Sequence, residues 1–384
     1  GSSILSFFYF CFSFFRMGTT GLIAQAYGKK NCLEIEHIIK KNLFFALICG
    51  LICIPSLSII INMTINIFSD NIIIQNYTQS YINIRIFGSP ATFINFVILG
   101  VLLGSNEPWK IFKLVIFMNC LNIFLDLFLG MYLGLNLIGI AYGTIISEYT
   151  GVFLGLFYIN NISPLRNLFN LKNIFRNKFY LIFKTNINLF IRTLLILISI
   201  LMFTAIGSKL GETVLAANAI LIIFQMFLSY SLDGFAQAAE VLIGNEYGKR
   251  NKNNIIKIII SSGIISFIFA LIYSLIFYYF ALNIILLITS LEDVIVEINK
   301  YIFWIVLSPL ISFLSFHLDG VFIGSNKTKI MRNSVVISFI IYLVCLMVLV
   351  PIYANHGLWA SFIIFMLFRG LLLLIKYKSV YNFL

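Results

Sequence analysis

Charge is what this chain has least of. Asp, Glu, Lys and Arg together make up 10% of its 384 residues, against roughly 25% in an ordinary soluble domain. With 61% of the residues hydrophobic, no soluble core could enclose so much apolar surface, which excludes a water-soluble globular protein. There are three histidines, and the six cysteines (Cys11, Cys32, Cys49, Cys53, Cys120 and Cys345) form no paired CxxC framework with histidines at metal spacing. No metal site is expected, and the cysteines read as small apolar packing residues. A phosphate loop, a zinc motif and a nucleophile elbow are also missing. Without a catalytic His and Asp set, a membrane-embedded enzyme is set aside. The formal net charge of +12 lies in short basic clusters between apolar runs rather than along one face, which argues against nucleic acid as a partner.

What fills the chain instead is apolar runs of about 20 residues, the length a helix needs to cross a hydrocarbon core of ~30 Å. Eleven spans are predicted: 3–27, 38–62, 82–103, 111–130, 135–159, 179–206, 214–245, 255–282, 294–323, 331–350 and 357–376. Strands of a membrane barrel would be ~10 residues long and alternate in polarity. The expected fold class is therefore an all-α polytopic membrane protein. Basic residues collect in alternate loops: Lys29, Lys30, Lys40 and Lys41, then Lys110 and Lys113, then Arg166 to Lys184, Lys249 to Lys257, Lys327 to Arg332, and Lys376 with Lys378. By the positive-inside rule these loops and the C-terminus are cytoplasmic, which leaves the present N-terminus outside.

The loops also repeat. GVLLGSN at 100–106 returns as GVFIGSN at 320–326, and AYGKKN at 26–31 returns as EYGKRN at 246–251, both at an offset of 220; Pro90 and Pro309 correspond within one residue. Two matched loops at one offset indicate two homologous lobes. The offset covers six spans, an even number, so both lobes enter the membrane in the same orientation, as parallel repeats do. Residues 1–160 are the expected N-terminal lobe, 161–178 a cytoplasmic linker, and 179–384 the C-terminal lobe. The linker reads either as a helix lying on the inner membrane surface or as a solvated connector. Span 179–206 precedes the repeated unit, and its counterpart would lie before Gly1. Twelve spans, six per lobe, are therefore expected of the complete architecture, with the first absent from this chain.

Ionisable groups within apolar spans are costly and are functional candidates by default. The acids are Asp126, Glu148, Asp233, Glu240 and Asp319; the bases are Arg16, Arg85, Arg192 and Arg369. Asn122 and Asp126 are four residues apart and share a helix face, and Thr144 and Glu148 repeat the spacing on the next span. Burial disfavours an ionised carboxylate, so an acid on that shared face could take up and release protons. The alternative is an Asp126 that pairs with an arginine, Arg85 for instance, and only holds helices together. Glu148 reads first as structural, and Arg16, Arg85 and Arg192 as helix-pairing counter-ions. Arg369 is expected to snorkel to the interface. Asp233 and Asp319 each precede a glycine, where helices can approach closely. His317, beside Asp319, reads first as a packed core residue and second as a proton relay.

The segments FFRMGTTGLIAQAYGKK, LDLFLGMYLGLNLIGIAYGT, LDGFAQAAEVLIGNEYGKR and LDGVFIGSN resemble the multidrug and toxic compound extrusion (MATE) family, and within it the DinF-like branch. The resemblance runs through nearly the whole chain. It implies twelve helices in two lobes, a central cavity, no cofactor, and export of organic cations in exchange for protons or sodium by alternating access. A monomer in a bacterial inner membrane is expected. In related members a first-lobe cation site combines an Asp on the first helix with an Asn and Asp four apart and a Thr on the next helix; Asn122, Asp126 and Thr144 match the last three. Glu148, Asp319, Asp233 and Glu240 are secondary candidates. Asp319 resembles a second-lobe acid of sodium-using relatives, but no acid on span 179–206 accompanies it, which favours protons. The rival readings are a lipid or oligosaccharide flippase of the same superfamily and a non-functional truncated homologue.

Overall fold

The computed structural model describes residues 2–68, 72–162 and 179–382. The linker expected at 161–178 falls, from residue 163 onward, outside the described residues. The described elements are helical throughout: α1 Ser2–Cys11, α2 Phe14–Gly28, α3 Cys32–Phe68, α4 Ile72–Arg85, α5 Ser89–Gly104, α6 Pro108–Leu125, α7 Asn136–Asn160, α8 Phe179–Lys209, α9 Glu212–Gly248, α10 Lys252–Ile288, α11 Glu292–Gly324 and α12 Thr328–Ile375. Among the described residues ten helices are long and apolar enough to cross a membrane, one fewer than the sequence predicts. The difference lies in α12, whose 48 residues join the last two predicted spans across a break at Ala354. The chain folds as two compact units, Gly1–Asn186 and Ile187–Leu384.

Each repeated string performs the same packing task in its own unit. In the first, a Cβ on Gly100 would come within 2.6 Å of the Arg16 carbonyl oxygen, and one on Gly104 within 2.7 Å of that of Thr20. In the second, a Cβ on Gly320 would collide with the Ala236 carbonyl and one on Gly324 with that of Glu240. All four pairs are related by the offset of 220. GVLLG and GVFIG are thus small-xxx-small seams that bring α5 onto α2 and α11 onto α9 at backbone contact, the main source of packing energy where lipid supplies no hydrophobic drive between helices. The residues after them turn the chain: Asn106 and Asn326 adopt left-handed φ of 61° and 56°, which asparagine tolerates better than most side chains. The second repeat works likewise, with Lys30 and Arg250 at φ 55° and 57°. Asn31 and Asn251 then accept from the backbone N–H three residues on, at 3.1 and 3.2 Å, and cap α3 and α10.

The break in α12 is a repeat of the same kind. Ala354 (φ 47°, ψ −123°) stands 220 positions after Gly134, which has φ 68° in the turn between α6 and α7. After each turn a glycine sits against the helix just left, Gly139 on Leu129 and Gly357 on the Leu349 carbonyl. Behind the break, Asn218 and Asn355 exchange amide hydrogen bonds of 2.8 and 3.0 Å, and Trp359 Nε1 donates to Asn218 Oδ1 at 2.9 Å. Ala354 holds the dihedrals of the first central residue of a type II′ turn, a position that favours glycine. Such strain costs on the order of 1–3 kcal/mol, and glycine forfeits roughly 0.5–1 kcal/mol in chain entropy. Ala354→Gly is therefore expected to raise the melting temperature by a few degrees. A lowered value in a detergent thermal scan would refute the assignment of strain there.

Candidate functional site

Asp126 stands where α6 changes its winding. The chain continues through a π-helical stretch, Asp126–Tyr132, closed by Leu133 N–H donating to the Phe128 carbonyl at 2.9 Å. Wide turns of this kind occur frequently at functional sites. One turn earlier, Asn122 Nδ2 donates to Asp126 Oδ1 at 3.1 Å and to Thr144 Oγ1, on α7, at 3.2 Å. The Thr144 hydroxyl spends its own proton on the Ile140 carbonyl at 2.9 Å, so its oxygen faces Asn122 as an acceptor. Gly143 leaves room for the acid: a Cβ there would lie 2.5 Å from Asp126 Oδ1. Asn122, Asp126 and Thr144, the three residues that the family resemblance singles out, thus form one hydrogen-bonded, half-buried cluster. Among the described residues no basic side chain lies within ion-pair distance of Asp126.

Arg85 goes elsewhere. Its fork grips Glu148 with both terminal nitrogens, at 2.9 Å each, the bidentate geometry that makes guanidinium–carboxylate pairs specific. Gly88 makes room for this pair, since a Cβ on it would come within 2.5 Å of Glu148 Oε2. The Tyr9 ring lies 5.7 Å from the Arg85 guanidinium, and its hydroxyl donates to the Arg85 carbonyl at 3.0 Å. The alternative in which Arg85 neutralises Asp126 is therefore not what the fold contains. Arg16 enters the packing through its backbone, whose carbonyl accepts from Thr20 Oγ1 at 2.8 Å under the Gly100 seam.

In the second unit Asp319 is held from two sides, by Arg192 of α8 and by Arg369 of α12, the latter at 2.7 Å. All three are at most 5% exposed. This corrects the expectation that Arg369 snorkels: its guanidinium lies between Phe316 and Phe365 at 5.9 and 5.8 Å and donates to Met366 Sδ at 3.2 Å. A buried acid was within reach, and pairing with it outweighs extension to water. The sequence offered no signal for this, because Asp319 and Arg369 are 50 positions apart and on different helices. Asp233 accepts from Gln237 on its own helix at 2.7 Å. Glu240 is buried on α9 with its backbone under Gly324, and His317 is 4% exposed in the packed interior.

These placements contrast two kinds of acid. Glu148 and Asp319 are neutralised by guanidinium, whereas Asp126 is held by a neutral amide beside a neutral hydroxyl. The chain can then be set beside known proteins. The MatE family profile matches it twice, over residues 1–128 and 189–352. DNA damage-inducible protein F of Escherichia coli (strain K12) is 33% identical over 373 residues, 97% of this chain and 81% of that protein. Multidrug and toxin extrusion protein 1 of Pongo abelii is 28% identical over 140 residues, 36% of this chain and 24% of its own. A solved multidrug resistance MATE family transporter of the MOP superfamily, in an outward-facing conformation, superimposes with a TM-score of 0.85 at 17% identity, covering 99% of this chain and 86% of that one. With two family matches, each falling within one of the two repeated units, and a relative alike over almost its whole length, this chain belongs to the MatE family of multidrug and toxin extrusion transporters: it is an integral membrane transporter and not an enzyme.

Proposed function

We propose that this transporter exports organic cations in exchange for protons by alternating access, with Asp126 as the coupling carboxylate and Asn122 and Thr144 as the groups that position it. The observation that carries this reading is the Asn122–Asp126–Thr144 cluster. Its carboxylate accepts from a neutral amide and belongs to no ion pair among the described residues. Such an acid can change its protonation without breaking a salt bridge, whereas protonating Glu148 or Asp319 would break the buried ion pair with Arg85 or those with Arg192 and Arg369. Taking up a proton removes negative charge from the cluster and weakens its attraction for a cation. That difference in affinity between protonated and ionised states is what ties substrate release to proton entry.

Protons rather than sodium are favoured by the donors around the acid. A hard cation requires several oxygen ligands converging on it. Here the Asn122 amide turns its nitrogen, not its oxygen, toward Asp126 Oδ1 and Thr144 Oγ1. In the second unit the carboxylate that could hold sodium already carries two guanidinium groups. The basic turns at Lys29 and Lys249 and the C-terminus are assigned to the cytoplasm, the membrane to a bacterial inner membrane, and the working unit to a monomer. Everted vesicles loaded with an acid interior are expected to accumulate a fluorescent cation such as ethidium, equally with and without sodium. Accumulation that follows an imposed sodium gradient and ignores the pH gradient would overturn proton coupling.

A further inference from the structure

The repeated basic turns of the two units differ in how much of their charge is neutralised. In the first unit, between α2 and α3, four cations (Lys29, Lys30, Lys40 and Lys41) accompany two carboxylates. Glu34 takes Lys29 at 3.3 Å and Glu36 takes Lys40 at 2.5 Å. In the second unit the positions 220 residues on are Asn254 and Ile256, and Lys252 and Lys257 stand where the first unit has Cys32 and His37. The carboxylate of this turn, Glu246, is occupied by Lys249 at 2.6 Å and by the Asn254 amide at 3.0 Å. Arg250, Lys252 and Lys257 are exposed, and among the described residues no carboxylate lies within ion-pair distance of them.

The chain after α12 brings more positive charge to the same place. A short 3-10 turn, Tyr377–Val380, is anchored by Val380, which is fully buried. The ring of Tyr381, the next residue, has Lys252 Nζ 5.5 Å from its centre and lies 5.9 Å from the Tyr377 ring. Lys376 and Lys378, both exposed, are thereby carried to the start of α10, and residues 374–382 contain no Asp or Glu. The start of α10 adds the partial positive charge of a helix N-terminus. Five cationic side chains thus gather at one edge of the second unit without a paired carboxylate among the described residues.

The surroundings select the kind of anion. Lys257, Ile260 and Ile264 follow one another at helical spacing on one face of α10, and the two isoleucines are 57% and 55% exposed. α10 is among the helices long and apolar enough to cross the membrane, so the cationic edge passes directly into a face that meets hydrocarbon. Tyr377 and Tyr381 are side chains of the type that collects at headgroup level. A free phosphate answers the charge alone, whereas a phospholipid answers both the charge and the apolar face below it. We propose that this edge, made by the start of α10 and the turn after α12, holds the headgroup of an anionic phospholipid, its phosphate drawn by Lys252, Lys257 and Lys378. The repeat-related turn of the first unit, where Glu34 and Glu36 already neutralise Lys29 and Lys40, binds such a lipid more weakly.

The test uses the full chain in detergent, with dioleoyl phosphatidylglycerol and dioleoyl phosphatidylcholine as probes and native mass spectrometry to count the lipids retained. Phosphatidylglycerol should be retained at lower concentration than phosphatidylcholine, and millimolar inorganic phosphate should not displace it. Lys252→Gln combined with Lys378→Gln is expected to raise the concentration needed for the first phosphatidylglycerol about twentyfold, from a roughly fivefold effect for each cation removed near an anionic lipid surface. Lys29→Gln combined with Lys30→Gln removes the same charge from the first unit and should change that concentration less than about twofold. Equal losses in the two double variants would reduce the effect to net charge and overturn the proposal, as would equal retention of the two lipids. Displacement by inorganic phosphate overturns it too, in favour of a soluble anion. All four positions are exposed, so both variants are expected to fold. If one does not, a photoreactive phosphatidylglycerol on the unsubstituted chain decides the matter: labelling concentrated on residues 252–264 and 374–382 upholds the proposal, and equal labelling of residues 26–41 overturns it.

Discussion

Asp126→Asn abolishes cation accumulation driven by a pH gradient in everted vesicles and leaves the protein folded and in the membrane. The substitution is nearly isosteric and keeps an oxygen in place to accept from Asn122 Nδ2, now 3.1 Å from Asp126 Oδ1. No ion pair among the described residues is lost, so stability is expected to change by less than about 1 kcal/mol. What disappears is the change of charge. A permanently neutral side chain presents one state to the substrate in both conformations, and without differential affinity there is nothing to couple the two fluxes. Accumulation should fall to the level of vesicles that lack the protein, with the melting temperature unchanged. Accumulation at the unsubstituted rate would remove Asp126 from the coupling role and turn attention to Asp233 or Glu240, the other acids within the apolar spans.

Asp319→Leu has the opposite signature: a large loss of stability. The carboxylate is 4% exposed and is the shared partner of Arg192 and Arg369, themselves 5% and 3% exposed. Its removal takes from Arg192 and Arg369 the carboxylate they share, at a buried site that joins α8, α11 and α12. Breaking a buried ionic cluster by deleting one partner costs about 3–5 kcal/mol, mostly from the charge left uncompensated. The melting temperature in detergent should fall on the order of 10 °C. The companion variant Arg369→Met separates the causes. It leaves the balanced Arg192–Asp319 pair and fills the space between Phe316 and Phe365 with an apolar chain. It should therefore cost much less than Asp319→Leu. If Asp319→Leu melts within 2 °C or so of the unsubstituted protein, the cluster contributes nothing to stability on this scale.

Much of this was legible before any coordinates. A bilayer makes composition and span length informative, because a backbone crossing hydrocarbon must satisfy its hydrogen bonds internally, and only a helix or a closed barrel does so. The repeat was legible because two turns need the same rare backbone conformation and two seams the same absent side chains, so Asn106 with Asn326, and Gly100 with Gly320, hold the same residue in both units. The Asn122, Asp126 and Thr144 set came from the family resemblance, since spacing alone paired Asn122 with Asp126 and Thr144 with Glu148; the contacts within it follow from local geometry. Two of its members are one helical turn apart, and the third lies on the next helix of a tight hairpin, so sequence spacing nearly fixes spatial spacing.

Where partners come from distant parts of the chain, spacing says nothing. The sequence alone determined that Arg85, Arg192 and Arg369 are intramembrane cations, but not that the first takes Glu148 across 63 positions or that the other two share Asp319. The choice depends on which helices pack side by side and on how closely glycines such as Gly88 let them approach. The count of helices shows the same limit: the predicted final two spans are present, but whether Ala354 ends one helix or bends it is set by a single dihedral pair and by the amide lock between Asn218 and Asn355 behind it. Sequence therefore determined the class and the repeat, consequences of hydrocarbon and of helical periodicity, while the Asn122, Asp126 and Thr144 set came with the family resemblance. Only tertiary structure decided that Glu148 and Asp319 are neutralised by guanidinium, because a buried charge is matched by whatever long-range packing brings within reach.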